Sequence, residues 1–142
     1  MLNELFTKNQ EIIARYEMST TEDERNKIEK EMRDFRKGIQ DKGTAFAQLF
    51  ILYNDSKEKE NSLLDLGQNC IWEREIPELL AAIEEAGITE FTFSSTWSSS
   101  NKVAWEFTKA GWNIKGMTLV NTHKEWPTEN YKQEPAFIFT RG

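Results

Sequence analysis

The sequence predicts an α+β fold: an N-terminal helical hairpin plus a third helix, packed on a small β-α-β-β mixed sheet. Two observations carry this. Residues 2–61 hold three apolar stripes at helical spacing, with charged residues on the remaining positions. From residue 87 onward, Phe91 and Phe93 alternate with polar neighbours as in a half-buried strand, and polar residues from Ser94 to Asn101 end the alternation. Val103, Ala104, Phe107 and Ala110 then return at helical spacing, with Gly111 at the position of a helix stop.

The first stripe is Leu2, Leu5, Phe6, Ile12, Ile13 and Tyr16, broken at Met18. Thr21-x-x-Glu24 forms a capping box, in which the hydroxyl accepts the third amide and the glutamate reaches back to the cap amide. The helix it opens is expected to run to about Lys37 on a seam of Ile28, Met32, Phe35 and Ile39. Arg33, Arg36 and Lys37 would then lie in its last turn, where they suit the dipole. Two such helices with a short joint form an antiparallel hairpin. Its seam is expected to pack on the rest of the domain, and homodimerisation through it is compatible with the sequence. Residues 45–53 are almost continuously apolar and read as a buried helix continuing toward Asn61.

Ser62 to Asn69 reads as an irregular connector with Trp72 as its anchor. Ile76, Leu79, Leu80 and Ile83 give a fourth helix, with Pro77 in its first turn and Gly87 closing it. Trp112 to Asn121 reads as a strand, which makes the 91–121 unit a β-α-β crossover, right-handed by default. Thr122 to Gln133 reads as a polar loop, and Glu134 to Thr140 as a final strand pairing antiparallel with Lys115–Asn121. The whole is one domain, 1–142, divided into a helical arm (1–43) and an α/β body (44–142).

With 142 residues, five Trp, nine Phe and three Tyr, the chain has material for a real core. No apolar run spans a bilayer, and the first residues lack the pattern of a signal peptide, so a cytoplasmic protein without membrane contact is expected. Cys70 alone allows neither an intrachain disulfide nor a thiolate zinc cluster. The net charge of −6 is uneven. Residues 55–90 carry ten acidic and three basic side chains, while 91–142 carry six basic against four acidic. An acidic middle segment argues against nucleic acid and suits a basic protein partner; Glu78, Glu84 and Glu85 are the acidic surface such a partner would meet.

The candidate site is the polar turn itself: Ser95, Trp97, Ser98, Ser99, Ser100 and Asn101. It lies between a strand and a helix N-terminus, where free amides and the dipole favour an anion. Serines there also serve as turn and cap residues, and the glycines of a phosphate loop are absent. Trp97 and Trp126 lie in polar stretches and are the tryptophans expected to make exposed contacts, whereas Trp72, Trp105 and Trp112 read as packing residues. His123 is the only histidine, and no nucleophile elbow or spaced ligand set accompanies it. The sequence therefore predicts no metal, no cofactor and no catalytic residues.

Asn101-x-x-Ala104-x-x-Phe107-x-Lys109-x-Gly111-Trp112, followed by Gly116, resembles the last motif of the acetyl-CoA-dependent N-acetyltransferase superfamily. The likeness covers about a fifth of the chain and implies coenzyme A binding. The superfamily's glycine-rich pyrophosphate loop has no counterpart here. A broader run resembles a small uncharacterised family of Gram-positive bacteria, their plasmids and phages, over about residues 60–140. It comprises Leu64-Asp-Leu, Trp72, Ile76-Pro-Glu-Leu, Ala86-Gly-Ile, Phe91-Thr-Phe-Ser-Ser, Trp97-Ser-Ser, Gly111, Gly116-Met, Asn121 and Pro135-Ala-Phe. That family implies a fold and a mobile-element setting but no activity. The function expected is a non-catalytic binding or regulatory protein, one form of which is an inhibitor of a host defence nuclease such as an anti-CRISPR protein. The alternative is a small-ligand or acetyl-CoA-dependent acyltransferase using the 94–101 turn.

Overall fold

The computed structural model describes residues 1–67, 73–95 and 98–141. The chain forms two compact units, Met1–Phe50 and Ile51–Gly142. The α+β class holds: the N-terminal helices precede a four-stranded mixed sheet.

In the first unit, α1 (Leu2–Met18) and α2 (Glu22–Asp41) run antiparallel. Arg15 pairs with Glu31 at 2.7 Å, and Lys8, earlier in α1, lies 5.8 Å from the ring of Phe35, later in α2. Thr21 Oγ1 accepts the Glu24 amide at 3.2 Å as the capping box requires, but the Glu24 carboxylate accepts from Thr20 N (3.3 Å), one residue early. The helix outlasts its expected end at Lys37. Gly38 is tolerated within it and Ile39 extends the seam, so Arg33, Arg36 and Lys37 lie mid-helix and the last turn has no basic residue. Ile28, Met32 and Phe35 are half-buried and Ile39 buried. Gly43, at φ 111°, turns the chain into α3 (Thr44–Glu58), the helix expected from the apolar run. It stops at Glu58 rather than Asn61, with Glu60 left-handed at φ 62°.

In the second unit the strands are β1 (Leu64–Asp65), β2 (Glu90–Phe93), β3 (Asn113–Glu125) and β4 (Asn130–Thr140), in the order β1-β2-β4-β3. β1 and β2 are parallel and joined through α4 (Ile76–Glu85); β4 is antiparallel to both β2 and β3. The expected connector at 62–69 thus contains a strand, two residues long and too short for any period to announce. The expected crossover from β2 through α5 (Ser100–Lys109) to β3 is present but split, because β4 inserts between its strands. Both crossovers move the same way across the sheet, so right-handed connections place α4 and α5 on one face. That face holds the core: the Phe91 ring lies 5.2 Å from Phe107, 4.7 Å from Trp112 and 5.5 Å from Phe139.

Helices α4 and α5 end alike. The amides of Ile88 and Trp112 reach back to Ile83 and Phe107 across left-handed Gly87 and Gly111. Val103 and Phe107 set the buried face of α5, which puts Trp105 on its far side, 60% exposed; it is not the packing residue expected from sequence. The expected polar loop 122–133 is also mostly strand, since β3 and β4 continue to Glu125 and from Asn130, leaving only Trp126–Glu129 as the turn. No helix among the described residues is long and apolar enough to cross a membrane.

Candidate functional site

The serine-rich turn rises from a buried acid. Asp65, 3% exposed at the end of β1, accepts from Thr92 Oγ1 (2.8 Å) and Ser94 Oγ (2.7 Å), while its amide donates to Ser56 Oγ of α3 (2.9 Å). Gly67 is buried against this turn, where a side chain would overlap Ser94 and the amide of Ser95. Burial pushes the Asp65 carboxyl above the usual carboxylate range; the Ser94, Thr92 and Gly67 bonds and the Lys59 charge offset part of that. The first residues of the turn are therefore bolted to β1.

Past that base the expected site residues diverge. Ser95 is half-buried; Ser98, Ser99 and Asn101 are exposed, and Ser100 is the half-buried first residue of α5. Ser99 is the N-cap, yet its hydroxyl makes no capping bond. Trp97 lies outside the described residues, as do Trp72 and Cys70. Glu78, Glu84 and Glu85 are exposed on α4. Glu84 forms an ion pair with Arg141, whose guanidinium also lies 6.0 Å from the Trp112 ring. Of these three, Glu78 and Glu85, seven residues apart on one helix face, have no ion pair among the described residues.

Trp126 is 93% exposed at the turn between β3 and β4. This hairpin runs past the end of β2, since Phe93 pairs with Phe137 and β4 begins seven residues earlier at Asn130. At about 3.3 Å per residue, Trp126 stands roughly 20 Å from the serine turn. The two sets of candidates do not form one site.

The hairpin carries a feature that the sequence reading missed. Met117 faces Phe137 and Leu119 faces Pro135, and a bulge at Lys115 returns Ile114 to the same side opposite Phe139. This is the face that holds the aromatic core, yet these side chains are left open: Ile114 is 52% exposed, Met117 60%, Leu119 57% and Phe137 37%. On the opposite face Val120, Thr122 and Ala136 are buried. The loop after α3 is tied to the hairpin, with Asn61 bonded to the Asn121 backbone and the Tyr131 hydroxyl donating to Glu58 O at 2.8 Å. The signal lay in arithmetic: a strand with apolar residues at 114, 117 and 119, and no helix after it among the described residues.

His123 is exposed beside Thr122 Oγ1 (3.3 Å). Among the described residues no group of three His, Cys, Asp or Glu could hold a metal ion. A family model described as "Domain of unknown function (DUF7698)" matches residues 48–141. No curated protein and no solved structure matches the chain.

Proposed function

Because the chain belongs to the DUF7698 family, which brings a domain but no activity, we propose from its own surface that it is a non-catalytic, cytoplasmic protein-binding module. The observation that carries this is the uncovered strip of Ile114, Met117, Leu119 and Phe137 on one face of a hairpin with exposed Trp126 at its tip. Contiguous exposed apolar side chains rimmed by polar ones are the usual mark of a protein contact, and an exposed tryptophan is a frequent hot spot. The partner is a basic protein, steered by the acidity of residues 55–90, to which Glu78 and Glu85 contribute exposed charge on α4. A host defence nuclease, inhibited by a mobile-element protein in the manner of an anti-CRISPR protein, is the specific form of this proposal.

The alternative, a small ligand or acetyl-CoA at residues 94–101, is less favoured. A buried carboxyl bonded to Ser94 at the base of the turn opposes an anion such as a pyrophosphate.

Affinity capture from a native bacterial host, read by mass spectrometry at rising salt, tests the proposal. A partner held by the wild type at low salt and lost with Glu78→Lys/Glu85→Lys supports it. A partner indifferent to both changes refutes the charge component, and a thermal shift with coenzyme A would favour the alternative.

A further inference from the structure

We infer that the outer edge of β3 pairs antiparallel with the same edge of a second copy, about a two-fold axis at Thr118. β3 is an edge strand, with β4 on one side only. Its backbone alternates, and Asn121 fixes the phase: its N–H donates to Asn61 Oδ1 (2.8 Å) and its C=O accepts from Asn61 Nδ2 (3.0 Å), so both point away from β4. The register is regular from Gly116 to Asn121, so the N–H and C=O of Leu119 and Met117 point outward as well. Pro135, opposite Leu119, has no N–H to offer, as a non-hydrogen-bonded pair permits.

Two features close this edge at its ends. The Asn61 side chain occupies Asn121, and the irregularity between Ile114 and Gly116 disturbs the ladder at Lys115. Between them the edge is open over Met117, Thr118 and Leu119 among the described residues, and such an edge is a template for another strand. The open window is symmetric, since Thr118 lies midway between Lys115 and Asn121. A copy turned about Thr118 sets Met117 against Leu119 of the second copy, and Leu119 against its Met117, each pair exchanging both backbone bonds. The ladder then stops by itself, where Asn61 blocks one strand and the bulge bends the other away.

Charge also selects a copy over a foreign strand. The window holds no charged residue, and Lys115 at its border is paired with Glu90 of its own chain at 3.2 Å. In this register Lys115 meets Asn121, never another lysine. Met117 and Leu119 of the two copies meet on the same face, which joins the two exposed apolar strips side by side. The pairing rests on the edge alone and does not depend on the identity of any partner.

The test replaces Thr118 by Cys in a Cys70→Ser background. Facing Cα atoms in such a pair lie about 4.5 Å apart, within disulfide reach. Oxidation is expected to yield a covalent dimer with Thr118→Cys and not with Gly116→Cys, whose added side chain meets open space in the monomer. In sedimentation the wild type is expected to show a concentration-dependent dimer. Leu119→Pro, which removes an outward N–H and no β4 bond, is expected to stay monomeric with an unchanged circular dichroism spectrum. A wild type that remains monomeric to millimolar concentration overturns the inference, as does equal cross-linking at both positions. A monomer that still captures its partner overturns the pairing and leaves the proposed function standing.

Discussion

Asp65 shows how one residue, through its backbone amide and its carboxyl, joins fold to surface. It sits at the end of the shortest strand, yet it anchors α3 through Ser56, β2 through Thr92 and the polar turn through Ser94. Its folded carboxyl titrates above the usual range, chiefly through burial. The folded state therefore holds a proton over a window in which the unfolded chain has released it. This contribution is fully present below the ordinary carboxylate range and is lost as pH rises through the raised value. Denaturant titrations of the wild type and Asp65→Asn across this window should show the variant gaining relative to the wild type as pH rises. At the acid end the variant should be the less stable by about 1–3 kcal/mol, since Asn restores only part of the hydrogen bonding. A difference independent of pH would mean that Asp65 is solvated as an ordinary carboxylate. Gly67 beside it was unremarkable in the sequence because its requirement is steric and non-local: only the fold brings Ser94 and Ser95 against it.

At the scale of elements, the β3–β4 hairpin and the loop after α3 form a strapped pair. Asn61 bonds both backbone groups of Asn121, Asn121 Nδ2 donates to Lys59 O at 2.8 Å, and Tyr131 reaches Glu58 O. Asn61→Ala should cost about 1–2 kcal/mol, because it leaves a partly buried strand N–H and C=O without partners. It should also speed amide exchange at Asn121 more than at Thr118, whose amide bonds to β4. Equal effects at the two sites would show that the strap contributes nothing at the edge. The helices here were legible because each repeats its apolar spacing over ten or more residues. The capping hydroxyl of Thr21 and the stops at Gly87 and Gly111 were legible for the same local reason. β1 was not, being two residues held by pairing with β2, and neither was the length of the hairpin, whose polar outer half alternates weakly. Trp105 is exposed where its aromatic character predicts packing, because Val103 and Phe107 set the buried face of α5.

At the scale of the whole molecule, the family match over 48–141 nearly coincides with the second compact unit, Ile51–Gly142. The helices of Met1–Phe50 lie almost entirely outside it, so the surfaces proposed for function all lie within the family's own domain. Trp126, singled out from sequence for an exposed contact, is left almost wholly in solvent. The rest of the uncovered strip became visible only with the topology, which buries Phe91, Phe107 and Phe139 and leaves apolar side chains of the edge strand β3 exposed. The most direct test is a single variant, Met117→Ser/Leu119→Ser/Trp126→Ala, captured beside the wild type and beside Ser98→Ala/Ser99→Ala. These hairpin side chains are exposed and should cost little stability, so the melting temperature should move by no more than a few degrees. The protein partner held by the wild type and by the serine variant should be lost from the hairpin variant. Retention of the partner by a folded hairpin variant, with its loss from the serine variant, would contradict the account and return the site to the 94–101 turn.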